Sequence, residues 1–510
     1  MIIFLLAILP IIFLIIALSG LKMSGYKACT LAMVITIVEA LFIWKQSIID
    51  VATGALEGFV MAIWPICLVI IAAVFTYNLV VHTKNMEVIK RMLASVSTDK
   101  RILVLIISWG FGGFMEAMAG FGTAVAIPAG ILVGLGFEPI FAAMVCLVAN
   151  TTPVAFGSIG IPTVTAANIV GLNPNNLASD IVAQQAIMIV LVPFLLVYMV
   201  GKHEGYKGLK MFKGVLLMTL IAGFGFLIPE YLIAKFVGAE LPAIIGSVIC
   251  MILVMFGTKI CKTSNKDFSL DIENTQHIDV YECIIAWSPF ILVLILLIAT
   301  SSIIPIIHDP LASIKTSIQI YTGPGAKPYT FVWLATPGVL IIIAAIIGGF
   351  IQKCPFGEII FVFIKTLKQM VKTVITIMAV LATAKVMGYS GMTQAIADFM
   401  VNVTGNLYPL VAPLIGSIGT FVTGSATSSS VLFTKLQAST AEVLGMNPAW
   451  MVAANTAGST AGKIISPQSI AVATASAGIV GSESKILVGV LKYYVIFIVV
   501  FGLVSYFGIM

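Results

Sequence analysis

Residues 110–162, GFGGFMEAMAGFGTAVAIPAGILVGLGFEPIFAAMVCLVANTTPVAFGSIGIP, constrain the fold of this chain more than any other stretch. The segment is apolar enough for a bilayer, yet glycine, alanine, threonine and proline crowd it. Gly-Phe-Gly occurs at 110–112 and again at 120–122, and Pro128, Pro139, Pro153 and Pro162 follow. A plain spanning helix has no use for that composition. Proline withdraws an N–H and clashes with the carbonyl four residues back, so helices are expected to break here. Broken backbone at membrane depth is tolerated only where protein or a water-filled cavity receives the freed polar groups. The stretch thus predicts a binding site inside a membrane, with Glu116 as an ionisable group within it.

Composition supports the membrane. Of 510 residues, 60% are hydrophobic and 9% charged, against about a quarter charged in soluble domains. Residues 1–20 are apolar, with no positive n-region and no small-residue cleavage site, and are expected to be a retained first helix. The net charge of +6 is no nucleic-acid signal, because the basic residues lie in short loops. The cysteines show no C-x-x-C spacing, and most fall in apolar segments, where buried free thiols are expected. No cofactor is indicated.

At about 20 apolar residues per crossing, the runs give an all-α polytopic membrane protein with about 12–14 membrane helices. Segments too short to cross cluster at 102–171 and 391–480. Basic loops are expected on the cytoplasmic side. Loop 82–101 carries Lys84, Lys90, Arg91, Lys100 and Arg101, and loop 202–213 carries Lys202, Lys207, Lys210 and Lys213. Counting crossings back from them puts the N-terminus outside.

An internal repeat is also expected. Residues 149–162, ANTTPVAFGSIGIP, align without a gap on 454–467, ANTAGSTAGKIISP: Ala-Asn-Thr, Gly157/Gly462, Ile159/Ile464 and Pro162/Pro467 coincide. Upstream, Leu135-Gly136 and Pro139 match Leu444-Gly445 and Pro448. The same offset lays helix 54–81 on 357–389, running in the opposite direction. The expected organisation is two inverted-topology repeats with broken helices and re-entrant hairpins, as in secondary transporters. The first repeat is 1–201, with scaffold helices over 1–81 and a substrate segment over 102–201. Two linking helices and a polar loop fill 202–281. The second repeat is 282–510, with scaffold over 282–389 and substrate segment over 391–510.

The second substrate segment is rich in hydroxyls. Thr423, Ser425, Thr427, Ser428, Ser429 and Ser430 crowd one short apolar run and can cap broken helix ends or receive a polar substrate; the ordinary alternative is helix–helix hydrogen bonding. Glu116 and Lys463 are costly in a bilayer, and such groups usually pair or line a pathway. Lys463 suits the counter-charge of an anionic substrate, aided by half-helix N-termini expected around Asn150 and Asn455. Glu116 suits a coupling proton, because a carboxyl removed from water favours its neutral form. The alternative is a Glu116–Lys463 ion pair joining the halves. Glu57, Lys372, Lys385 and Lys435 are weaker candidates, some of the lysines suiting an interfacial, snorkelling position.

Enzyme readings find little support. His82, His203, His277 and His308 lie in loops or at helix ends, with no HExxH, and no Walker A pattern is present. Ser459 and Lys463, four apart, could share a helix face in a membrane hydrolase, but that spacing alone is a weak signal.

At these residues the chain resembles the L-lactate permease family, which includes glycolate permeases. The resemblance is carried by residues 112–122, 134–137, 149–157, 160–162, 423–425 and 462–469, in order along the whole chain. It implies a proton-coupled symporter for L-lactate, D-lactate and glycolate in the cytoplasmic membrane, not an enzyme. It also implies kinship with an ion-transporter superfamily of dimeric elevator carriers whose Asn-Thr tips Asn150-Thr151 and Asn455-Thr456 would match. On that basis the expected substrate residues are Asn150, Thr151, Thr152, Ser425, Thr427, Ser428, Asn455, Thr456, Lys463, Ser466 and Gln468, with Glu116 as proton carrier. Expected partners are lactate or glycolate, protons, the lipid bilayer and a second copy of the chain; nucleic acid is not expected. Two departures from the family pattern are Ala426, where Asp or Asn is expected, and Ala117, where glycine is expected. Sodium coupling to another organic anion is the alternative the residues leave open.

Overall fold

The computed structural model describes residues 2–17, 21, 23–120, 122–260, 268–270, 279–300, 304–326, 328–479 and 482–509. Phe121, Cys261, His277 and most of the charged linker 261–278 lie outside the described residues.

The chain is an all-α multi-spanning protein. Eleven helices among the described residues are long and apolar enough to cross a membrane, from Gly25–Phe42 to Glu483–Phe507. Four shorter apolar helices, Ile3–Leu14, Thr123–Gly134, Pro139–Ala149 and Pro337–Ile351, do not reach that length. The eleven fall short of the about 12–14 crossings expected at 20 residues each. The described strands are one antiparallel pair, Lys315–Ile318 with Tyr329–Val332, in the loop before Pro337–Ile351.

Apolar faces point both ways. Leu217, Phe224, Ile228 and Phe236 on one helix and Val488, Val495 and Val499 on another are exposed, as suits a surface whose solvent is hydrocarbon. With no hydrophobic drive between helices in lipid, association relies on close backbone approach at small residues. Gly458 and Gly462 lie one turn apart on Pro448–Ile465. A Cβ at either would collide with a backbone carbonyl of Tyr408–Thr423, that of Pro413 or of Ser417. Gly416 meets the Asn455 carbonyl in the same way. Elsewhere a Cβ at Gly58 would stand 2.6 Å from the Ala382 Cα, and one at Gly338 2.9 Å from the Val69 nitrogen.

The two Ala-Asn-Thr segments fold differently. Pro139–Ala149 stops at Asn150, and a 3-10 turn, Thr152–Phe156, follows. Its counterpart does not stop: Pro448–Ile465 continues through Asn455 and Thr456 to Ser466. The half-helix N-terminus expected at Asn455 is therefore absent, and Asn150 lies at the C-terminal end of Pro139–Ala149 rather than at the start of an α-helix. Proline explains the contrast. Pro153 cannot donate to the Ala149 carbonyl and clashes with it, whereas the aligned position in the second segment is Gly458.

Candidate functional site

Chain breaks build two walls of a cavity. Gly112–Met118 ends at Ala119, turns through Gly120 and Gly122 at φ 61° and 87°, and restarts as Thr123–Gly134. Positive φ at both turn positions suits glycine alone among common residues. The Ser158 hydroxyl donates to the Ala119 carbonyl at 3.0 Å, satisfying a freed helix end. Ser158, Ile159 and Gly160 are themselves left-handed, at φ 47°, 60° and 75°, an unusual state for a β-branched residue. On the other side, Tyr408–Thr423 ends at Gly424, φ 71°. Ser425 then caps Ala426–Val443, its Oγ accepting the Ser428 N–H at 3.2 Å. Pro448–Ile465 ends at Ser466, and Pro467–Ser476 begins next to it.

Between the walls lies a cavity of about 450 Å³. Glu116, Ser425, Thr427, Ser428, Lys463, Ser466 and Gln468 line it. Ala426 lies among them, so the position where Asp or Asn is expected falls in the wall of the cavity. The Ser466 hydroxyl is buried without a partner.

Five of the expected residues lie outside the lining. Asn150 sits behind Glu116, its Nδ2 donating to Oε2 at 3.0 Å. Thr151 and Thr456 return their hydroxyls to carbonyls one turn back, Val148 and Val452, at 2.7 and 3.2 Å. Thr152 is buried with no partner for its hydroxyl. Asn455 accepts from Gln437 Nε2 at 3.2 Å.

A third wall comes from helices that the two motif segments do not mark. Ser24 and Tyr26, where Gly25–Phe42 begins, face the cavity together with Lys372, Thr373 and Thr376 of Phe356–Ser390. The Lys372 ammonium is 5.8 Å from the Tyr26 ring centroid. Lys372 and Thr376, one turn apart in a long apolar helix, were a signal in the sequence; Ser24 and Tyr26 carried none.

The electrostatics favour an anion. Four helices start at lining residues: Gly25–Phe42 after Ser24, Thr123–Gly134 after Gly122, Ala426–Val443 after Ser425, and Pro467–Ser476 after Ser466. Each presents the positive end of its dipole, while Gly112–Met118, Tyr408–Thr423 and Pro448–Ile465 end beside the same cavity. Lys463 and Lys372 add charge, and Glu116 is the one carboxylate among the described lining residues.

Glu116 and Lys463 share this cavity without an ion pair. Lys463 Nζ donates instead to the Gly424 carbonyl at 3.3 Å, and the ion pairs of the described residues do not join the two. Glu57 and Lys385 do pair, at 2.7 Å, but they are not among the cavity residues; Tyr389 donates to the same carboxylate oxygen at 2.9 Å. Ser459, buried, donates to the Thr456 carbonyl at 2.7 Å and not to Lys463.

Comparison with known proteins finds a family over nearly the whole length of the chain. The L-lactate permease family model matches residues 3–509. The chain belongs to the L-lactate permease family. Among its relatives in this family, the L-lactate permease of Streptococcus iniae is 46% identical over 88% of this chain and 93% of its own. Glycolate permease GlcA of Escherichia coli (strain K12) is 34% identical over 98% of this chain and 94% of its own. Among solved structures, the YdaH transporter of Alcanivorax borkumensis superposes on 86% of this family member and 84% of its own chain, at a TM-score of 0.44 and 13% identity. That superposition is too loose to assign any element.

Proposed function

We propose that this protein is a secondary active transporter, not an enzyme, taking up L-lactate, D-lactate, glycolate and related 2-hydroxymonocarboxylates by proton symport. The observation that carries the reading is the cavity into which four helix N-termini and two lysines converge around a single carboxylate. Helix N-termini and ammonium groups are the partners a carboxylate needs once its water is stripped. Membership of a family whose members include L-lactate and glycolate permeases supports a small hydroxy acid as the anion.

In this reading Lys463 receives the carboxylate. Ser425, Thr427, Ser428, Ser466 and Gln468 offer hydrogen bonds to it and to the 2-hydroxyl. Glu116 takes the coupling proton, so anion and proton enter together and the load is neutral. Lys372, Ser24 and Tyr26 close the cavity from a third side.

The architecture we propose is that of two inverted repeats, 1–201 and 282–510, joined by 202–281, in the cell membrane with the N-terminus outside, working as a homodimer. The shared Ala-Asn-Thr and Gly/Pro pattern and the paired breaks at 119–122 and 424–425 support the repeats.

Proteoliposomes test the function directly. Lactate should accumulate when the lumen is alkaline, without a sodium gradient, and glycolate should compete. Accumulation that follows sodium and ignores pH would replace the proton by a cation in this scheme.

A further inference from the structure

Asn150 and Glu116 form a buried hydrogen bond between side chains at the edge of the cavity. Asn150 is 1% exposed and Glu116 3%. Asn150 caps the end of Pro139–Ala149, its own N–H bonded to the Cys146 carbonyl at 3.0 Å, so its position is fixed by the helix break. Its Nδ2 donates to Glu116 Oε2 at 3.0 Å, while its Oδ1 is buried with no partner. The other carboxylate oxygen lies against Gly157, where an added Cβ would stand 2.8 Å from Oε1. Glu116 reaches the cavity, and Asn150 does not.

We propose that Asn150 is a positioning residue for the proton on Glu116 and not a ligand of the transported anion. This rests on the reading that Glu116 carries the coupling proton. An ionised carboxylate can only accept, and a protonated one must also donate. A primary amide meets both needs by turning about its last bond: Nδ2 donates to the charged form, and Oδ1 accepts from the neutral acid. The unpartnered Oδ1 is the acceptor that the second state uses. Burial makes the provision necessary, because a carboxyl out of water that loses its hydrogen bond on each change of state would resist that change.

Among the described residues, no titratable side chain on the elements packed against Gly112–Met118 stands in for the amide. Of the elements packed on Gly112–Met118, Thr123–Gly134, Thr152–Phe156 and Gly157–Val170 bear no titratable side chain. Pro139–Ala149 brings only Cys146, which sits against Ser108 at 3.4 Å, and Leu105–Phe111 brings none. Pro242–Ile260 brings Cys250, which donates to the Ala222 carbonyl, and Lys259 in its last turn. Lys463 and Lys372 are the charged groups that share the cavity with Glu116.

The test is infrared difference spectroscopy of the full-length protein in proteoliposomes, following the protonated-carboxyl band that Glu116→Gln removes. Asn150→Leu takes away the charge-assisted donor to the ionised form and the weaker acceptor of the neutral one, so the band and the acid-stimulated uptake should both move alkaline by about one pH unit. The apparent affinity for lactate at acid pH should stay within about threefold. Asn150→Asp, which keeps the shape, should move the midpoint further in the same direction, because two carboxylates at hydrogen-bonding distance share one proton. That variant carries the test if Asn150→Leu does not fold. An unmoved Glu116 band in either folded variant overturns the proposal and leaves proton coupling standing. A tenfold loss of lactate affinity at every pH, with the band unmoved, makes Asn150 a substrate ligand. A wild type whose uptake ignores the pH gradient overturns the coupling reading itself, and the proposal with it.

Discussion

The Lys463 ammonium is held by the Gly424 carbonyl, 3.3 Å away, and makes no ion pair with Glu116 although both line one cavity. A single bond to a neutral acceptor leaves the remaining N–H groups of the lysine for an incoming anion. A Glu116–Lys463 pair would have used that charge for structure, as Glu57 and Lys385 do.

Lys463→Met should therefore weaken lactate binding by about 10- to 150-fold, the range of one hydrogen bond to a charged group at 1.5–3 kcal/mol. Lys463→Arg should retain part of the affinity. Counterflow in proteoliposomes reads both. An unchanged affinity in Lys463→Met would remove the lysine from the substrate site.

Glu116→Gln should abolish accumulation against a gradient while sparing lactate exchange. The amide keeps the size of the carboxyl and can still accept from Asn150, so folding is expected to survive. Imposed pH gradients with labelled lactate check the split, and a variant that still accumulates lactate would assign the proton to another group.

Breaking the buried pair elsewhere should cost stability without altering coupling. Glu57 accepts from both Lys385 and Tyr389, and its side chain is 7% exposed. Lys385→Met alone leaves the buried carboxylate with the Tyr389 hydroxyl but no counter-charge, a loss at the low end of the range for a broken buried pair, about 3 kcal/mol. Adding Glu57→Gln should restore much of it. Thermal unfolding in detergent reads the series, and equal stability of single and double variants would count against the pair.

Gly458→Ala should lower thermal stability by about 1–3 kcal/mol, the usual cost of overpacking. The new methyl meets the Pro413 carbonyl at the closest helix crossing. Gly134→Ala, where nothing lies within 4 Å, serves as the neutral comparison. Equal melting of the two variants would show that the Pro448–Ile465 crossing yields without cost.

Much of this protein was legible in its sequence. Hydrophobic run lengths specify spanning helices because a bilayer leaves the backbone no other partner. Glycine and proline crowding over 110–162 marked a stretch in which helices break, as they do at 119–122 and 150–153, because φ above zero and a missing N–H are properties of single residues. Even the unequal fate of Asn150 and Asn455 was written locally, as Pro153 against Gly458. The repeat match outweighed it by treating identical tripeptides as identical structures.

Which groups meet at the cavity was a tertiary matter. Ser24, Tyr26 and Lys372 belong to helices far along the chain from either motif, and nothing in their own segments names the partner they face. Asn150 shows the same limit at short range. The sequence placed it beside a broken helix, where an amide could hold either a substrate or a neighbour. Only the packing of Gly112–Met118 against that break put the Glu116 carboxylate 3.0 Å from its nitrogen. A local conformation follows from the covalent limits of a few residues. Which distant side chain fills a hydrogen bond depends on how whole helices dock.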